Sequence, residues 1–253
     1  MYAPERQQRI LEIATASGRV EVTALARDLE VTPETIRRDL TQLERLGRLR
    51  RVHGGAIPVE RFGFEPTVQH RSERLVAEKM RIAKAALDLL PDDGTILLDA
   101  GTTTACLADL LPLGRELTVV TNSLAIASTL ADRSDLTLYV LGGRIRGRTQ
   151  ASVGEWATSP LAGIHVDVAF LGTNGLSVAH GLTTPDQDEA AAKRAMVAAA
   201  RRAVVLADST KVGLDHFCRF AALAEMDTFV TDTSLDDETV AEIEAAGPEV
   251  ICA

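Results

Sequence analysis

From about Leu75 onward, short apolar runs alternate with longer helical stretches to the end of the chain, and no other feature narrows the possible folds as far. The runs predict strands at Thr95–Asp99, Leu117–Thr121, Leu136–Leu141, Val166–Leu171, Ala203–Ala207, Thr228–Thr231 and Glu249–Cys252. Helices are expected between most of them, notably at Thr104–Leu111, Leu124–Arg133, Asp188–Arg202 and Asp236–Ala246. Such alternation implies a parallel, Rossmann-like α/β sheet with helices on both faces. With 253 residues, 46% of them apolar, the chain has enough material for a sizeable core.

Residues 1–57 are patterned differently. A helix is expected from about Glu5 to Ser17, with Ile10, Ile13 and Ala14 at helical spacing and Gly18 closing it. The short extended piece Arg19–Val22 leads to a second helix carrying Leu25, Ala26 and Leu29 on one face. In VTPETIRRDLTQLERLG, Thr32 is placed to N-cap a third helix, Pro33 takes its first position and Gly47 stands past its end. Ile36, Leu40 and Leu43 form one stripe of that helix, while Thr35, Arg38 and Gln42 form another. RLRRVHGGAI then reads as a strand and a glycine turn, a β wing. Residues 58–74, with two prolines and a glycine, break the periodicity and read as a linker to a second, α/β domain over 75–253.

Charge follows the same division. Residues 1–57 hold ten arginines against eight acids, a net of +2, and the remainder carries −11. A small basic end on an acidic body suits a nucleic-acid head joined to a body with another task. In a helix-turn-helix reader the recognition helix enters the major groove of double-stranded DNA with its N-terminal residues facing base edges. Thr32, Thr35, Arg37, Arg38 and Gln42 are the candidates on that helix, with Arg50, Arg51 and His53 in the wing against the neighbouring backbone or minor groove. A helical docking module with a solvated arginine face would need neither the turn nor the wing. The run TPETIRRDL…LRRVHGGA resembles the winged helix-turn-helix of the DeoR/GlpR family of bacterial transcription regulators.

The body concentrates polar residues at strand ends, where ligands bind in open α/β sheets. In LLDAGTTTACLADLL, Asp99 ends a strand and Gly101, Thr102, Thr103 and Thr104 open a helix. Small residues let backbone N–H groups approach an anion, three hydroxyls add donors, and the helix N-terminus adds a favourable dipole. Asn122 and Ser123, then Gly142 and Gly143, then Asn174 and Gly175, then Asp208 and Lys211 follow further strands, and GLTTPDQDEAAAKRA adds Asp186, Glu189 and Lys193. Taken by itself, Glu189/Lys193 is a surface i,i+4 pair. GGRIRGRT imitates a phosphate-binding P-loop, but Arg148 stands where its lysine belongs. The arginines there, Arg144, Arg146 and Arg148, can line an anion site or an oligomer contact instead.

DAGTTT, VVTNS, LGG, GLTTPDQDEAAAKRAM and LADSTK resemble, from about Lys79 to Asp232, that family's C-terminal sensor domain, which is similar to ribose-5-phosphate isomerase. The resemblance implies a repressor of sugar-metabolism genes, relieved by a phosphorylated sugar or sugar alcohol. Where many relatives carry Gly-Ala-Asp-Gly, this chain has Gly172-Thr173-Asn174-Gly175, a form similar to the subset tied to fructose-type sugar phosphates. An asparagine cannot act as the general base an isomerase needs there. The reading is therefore a regulator without catalysis, the alternative being an isomerase-like enzyme with a DNA-binding head. The five histidines lack metal spacing and no cofactor is expected. Three distant cysteines, a charged N-terminus and the lack of a membrane-length apolar run point to a reduced, cytoplasmic, membrane-free protein, expected to act as a homo-oligomer, dimer or tetramer.

Overall fold

The seven expected strands lie side by side in one parallel sheet. The computed structural model describes residues 2–17, 19–46, 48–52, 54–58 and 65–253, and the chain divides into two units, Met1–Arg61 and Phe62–Ala253. In the first, α1 (Ala3–Ser17), β1 (Val20–Glu21), α2 (Val22–Asp28) and α3 (Pro33–Arg45) precede β2 (Leu49–Val52) and β3 (Gly55–Pro58). The strands pair antiparallel in the order β1-β3-β2, so the unit is a winged helix-turn-helix. Thr32 caps α3, its hydroxyl accepting from Thr35 N–H at 3.2 Å, and Pro33 sits where no N–H is needed. Ile36, Leu40 and Leu43 pack with Ile10 of α1 and Leu25 of α2 in one small core. The expected caps Gly18 and Gly47 lie outside the described residues.

The second unit runs α4 (Val68–Ser72), α5 (Val76–Ala86), β4 (Gly94–Leu98), α6 (Thr102–Leu110), β5 (Leu117–Thr121), α7 (Leu124–Leu130) and β6 (Leu136–Val140). It continues with β7 (Arg144–Arg146), β8 (Ala151–Val153), α8 (Glu155–Thr158), β9 (Val166–Gly172), β10 (Gly175–Ser177), β11 (Gly181–Thr184) and α9 (Gln187–Ala199). It closes with β12 (Ala200–Leu206), β13 (Cys218–Ala221), β14 (Thr228–Thr231), α10 (Asp237–Ala245) and β15 (Glu249–Cys252). The main sheet has the order β15-β14-β12-β9-β4-β5-β6. Both faces of its central strands are buried, and their residues alternate between two cores. Ile96, Leu98, Val168, Phe170, Val204 and Leu206 face Ile82, Leu107 and Ile126 of α5, α6 and α7. Leu97, Ala169, Leu171 and Val205 face Met196 of α9 and Ile243 of α10. Each fully buried side chain of this size contributes about 1.5–3 kcal/mol, which is why the strands read as unbroken apolar runs.

From β4 the chain fills the sheet outward through β5 and β6, then returns to β9 on β4's other side and proceeds to β15. The sheet order reverses between β4 and β9, and the crevice expected beyond the C-terminal ends of two such strands is the usual ligand position in these sheets.

Several boundaries differ from expectation. The helix expected to reach Arg202 stops at Ala199, because Ala200 already pairs with Val166 and strand pairing prevails over a helix-forming run. Residues 58–74 contain α4, and Glu65 within them is buried. Two small antiparallel sheets, β10-β11-β13 and β7-β8, were absent from the expected pattern. GGRIRGRT becomes β7 and a turn with no helix after it, so it is not a P-loop.

Candidate functional site

In the head, α3 turns Glu34, Arg37, Arg38, Thr41, Gln42 and Arg45 outward, and Arg51 of the wing completes a shallow groove with them. Arg38 is exposed and makes no ion pair among the described residues, while Arg37 donates to Glu34 at 3.1 Å, an exposed pair of small energetic weight. The wing is strapped to the helix: Arg51 N–H donates to Glu44 at 2.9 Å and Arg51 Nη1 to the Thr41 hydroxyl at 3.1 Å. The Thr32 and Thr35 hydroxyls lie 2.9 Å apart and serve the cap as well as any ligand. Gln42 Oε1 accepts from Gln7 at 3.4 Å. On the inner side, buried Asp39 receives Arg6 Nε at 2.5 Å and Gln7 Nε2 at 3.0 Å, which locks α1 against α3. The side chain of Arg50 and the whole of His53 lie outside the described residues.

In the body, the crevice floor is an ion pair. Asp99, just past β4, is 2% exposed and pairs with Lys193 of α9, which is 4% exposed. Gly172 N–H, at the end of β9, donates to Asp99 Oδ2 at 3.0 Å, and Lys193 Nζ donates to Gly172 O at 2.8 Å. The pair thereby staples the two strand ends between which the sheet order reverses. The Lys193 ammonium also lies 5.3 Å from the centroid of the Phe220 ring. Burial pushes the Asp99 carboxyl upward, and the Lys193 charge and the Gly172 N–H oppose that shift.

Beside this pair, α6 starts at Thr102 with no side chain capping it, so its first N–H groups point at the crevice mouth unclaimed by a cap. The half-buried Thr102 and the buried Thr103 stand on that first turn. Thr104 instead donates its hydroxyl to Asp99 O at 2.7 Å, a scaffold contact. Asn122 is also scaffold, contrary to its expected ligand-facing role. Its Oδ1 accepts from Ala100 N–H at 2.9 Å and its Nδ2 donates to Ser152 O at 3.1 Å. Ser123 caps α7. Gly142 is exposed, whereas Gly143 has φ +136° and a Cβ there would meet Val153 O at 2.7 Å. A Cβ on Gly175 would approach Leu214 O to 2.3 Å, so this glycine serves chain packing. Buried Asp208 accepts from Thr210 N–H at 3.2 Å, with half-buried Lys211 following.

Glu189 and Lys193 do not form the surface pair that their spacing suggests. Both are buried, and Glu189 turns to a separate cluster around Arg146. Arg146 meets Glu189 at 3.2 Å, Asp186 at 3.0 Å and Glu65 in a short ion pair. Thr149 donates to Glu189. Asn174 Oδ1 accepts from the Thr184 hydroxyl at 3.0 Å, and the oxygen of that hydroxyl lies 3.4 Å from Glu189 Oε2. Arg144 and Arg148 do not join it: the first pairs with Asp188 and the second donates to the Glu65 carbonyl.

Sequence reasoning missed Glu65 and Lys79. Lys79 is buried and donates to the carbonyls of Arg71 and, at 2.7 Å, Arg74. Burial lowers its pKa to about 8, Asp208 opposing the shift while Lys211 and Arg71 add to it. Its signal was present: Lys79, Ile82, Ala83 and Ala86 share one stripe of α5, so this lysine stands on a buried face. For Glu65, in irregular chain, no local pattern exists.

A family model described as the DeoR-like helix-turn-helix domain matches residues 6–62, and one described as the DeoR C terminal sensor domain matches residues 74–233. The chain belongs to the DeoR family of transcriptional regulators. It is similar to the HTH-type transcriptional regulator GlpR of Haloferax volcanii, 40% identical over 251 residues that cover 99% of this chain and 98% of that protein. It is also similar to the HTH-type transcriptional repressor GlcR of Bacillus subtilis, 33% identical over 233 residues, or 92% and 89% of the two chains. Among solved structures, ribose 5-phosphate isomerase A of Methanocaldococcus jannaschii is similar with a TM-score of 0.39 and 20% identity over 53% of each chain. In this regulator the winged unit is the DNA-binding part and the parallel-sheet unit the sensor.

Proposed function

We propose that this regulator is a repressor of sugar-metabolism genes and that a phosphorylated sugar or sugar alcohol, entering the crevice beyond β4 and β9, lowers its affinity for operator DNA. The observation that carries the proposal is the buried Asp99–Lys193 staple beside the uncapped start of α6. The phosphate would lie over the first turn of α6, on its N–H groups, the Thr102 and Thr103 hydroxyls and the helix dipole. The carboxylates of Asp186 and Glu189, set beside Arg146, repel a second anion and suit the hydroxyl end of the ligand. That polarity favours a phosphate monoester of a polyol, such as a fructose-type sugar phosphate.

The site binds without turnover in this reading. Asn174 has its amide oxygen on Thr184 and its amide nitrogen on Glu65, and an amide takes no proton from a sugar carbon. Arg38, with Arg37, Gln42 and the wing arginines Arg50 and Arg51, would meet DNA. Residues 1–57 serve that task and 75–253 the sensing. The regulator acts in the cytoplasm as a homo-oligomer, dimer or tetramer, because one winged head reads only one half-site.

Calorimetry tests the sensor. A sugar phosphate should bind far more tightly than its free sugar, since charge-assisted hydrogen bonds are the stronger ones. Thr103→Glu, placing a carboxylate on the first turn of α6, should abolish that preference. Equal binding to both proteins would put the sensor site elsewhere.

A further inference from the structure

We infer that Glu65 is an internal ligand of the sensor crevice and that the effector exchanges for it, so that effector binding frees residues 65–72 at the start of the sensor. The inference rests on the effector reading above. Glu65 belongs to the second unit, Phe62–Ala253, and precedes its first helix, α4. It is 1% exposed although it stands in neither helix nor strand. A buried carboxylate persists only where donors hold it, and Glu65 is held by groups on two different elements. Arg146 of β7 forms an ion pair with Oε2, and Asn174 Nδ2, after β9, donates to Oε1 at 3.3 Å. The main chain is fastened as well: the Arg148 guanidinium donates to Glu65 O, and Val68 N–H donates to Arg148 O at 2.8 Å.

Two features make this contact exchangeable. First, the groups that hold Glu65 are those a sugar would use, a guanidinium and an amide at the crevice. Second, Arg146 alone serves three carboxylates, Glu65, Asp186 and Glu189. Like charges gathered in a low-dielectric site repel one another. Asp186 and Glu189 are fixed at the start of α9, where Asp186 is the N-cap, whereas Glu65 sits on a strap. A polyol in its place supplies neutral oxygens to Arg146 and Asn174 and donates hydroxyls to Glu189 and Asp186. It thereby removes one negative charge from the cluster. Glu65 then leaves with the strap that runs into α4.

The test uses the full chain, with amide hydrogen exchange and calorimetry against hexose, pentose and glycerol phosphates and inorganic phosphate. Wild type needs no substitution for the first arm. A sugar phosphate that binds should speed exchange across 65–72 by about tenfold while leaving α9 protected. In the second arm, Glu65→Ala should bind the same compound about fivefold more tightly, because the internal competitor is gone. Glu65→Gln, which keeps the shape and loses the charge, should fall between the two. Binding with unchanged or increased protection at 65–72 overturns the inference, as does weaker binding to both variants, which would make Glu65 a fixed ligand of the sugar. In either case the effector reading stands. If no phosphate ester binds wild type, the effector reading falls and this inference falls with it.

Discussion

The two units handle charge in opposite ways. Apart from the inner Arg6–Asp39 pair, the head keeps its described arginines at the surface: Arg38 is exposed without an ion pair among the described residues, and Arg37 has an exposed carboxylate beside it. The sensor buries its ions, with Asp99 on Lys193 beneath the crevice and Arg146 among three carboxylates. A surface arginine contributes little to folding and stays available to a polyanion, which gains affinity by releasing counterions. A buried pair contributes geometry, because removing either partner strands the other in low dielectric. The head is therefore a surface awaiting its partner. The sensor is a frame already set, whose buried ions hold one another.

The largest effect that separates the two is on stability. Asp99→Asn leaves Lys193 buried without its counter-charge and should destabilise the sensor by about 3–5 kcal/mol, read by denaturant unfolding. A loss below about 1 kcal/mol would mean that the pair is solvated and the comparison is wrong.

Next comes pH. Lys79 has a native pKa of about 8, below its ordinary 10.5. Between those values the unfolded chain binds the extra proton, so stability should rise as pH climbs through that window. Lys79→Met should flatten the rise in a pH series of melts, and identical slopes in the two proteins would place the lysine in water.

Arg38→Ala carries the smallest cost to the fold and a specific cost to DNA. Operator affinity should fall by about 1–3 kcal/mol if the guanidinium reads a base, with unfolding unchanged. A phosphate contact would instead lower affinity evenly across sequences and make the salt slope shallower by about one. Unaltered binding in both Arg37→Ala and Arg38→Ala would remove α3 from the interface.

The same contrast explains what was legible in the sequence. The parallel sheet was readable because β4, β9 and β12 are buried on both faces and appear as continuous apolar runs. Its polar strand ends were readable as a group, since the rule for open sheets needs no partner to be known. Individual roles were not. Asn122 and Asn174 look alike after their strands, yet Asn122 is committed to two backbone groups while Asn174 holds the Glu65 carboxylate. Only tertiary approach separates them. Lys193 was found by its company in GLTTPDQDEAAAKRA, but its partner Asp99 is 94 residues away. Arg146 and Glu65 stand 81 residues apart, and irregular chain gives no period from which burial of Glu65 could be read. In the head, by contrast, Thr32, Pro33 and the Ile36–Leu40–Leu43 stripe are local signals, and local signals sufficed.

The proposed switch requires that ligand in the crevice and operator on the head oppose each other. Fluorescence anisotropy of labelled operator, titrated with sugar phosphates against the wild-type regulator, tests it directly. One phosphate ester should weaken operator binding about a hundredfold, equivalent to about 2.7 kcal/mol of coupling, and operator should weaken binding of that ester by the same factor. An ester that binds the sensor tightly and leaves operator affinity unchanged would contradict the account.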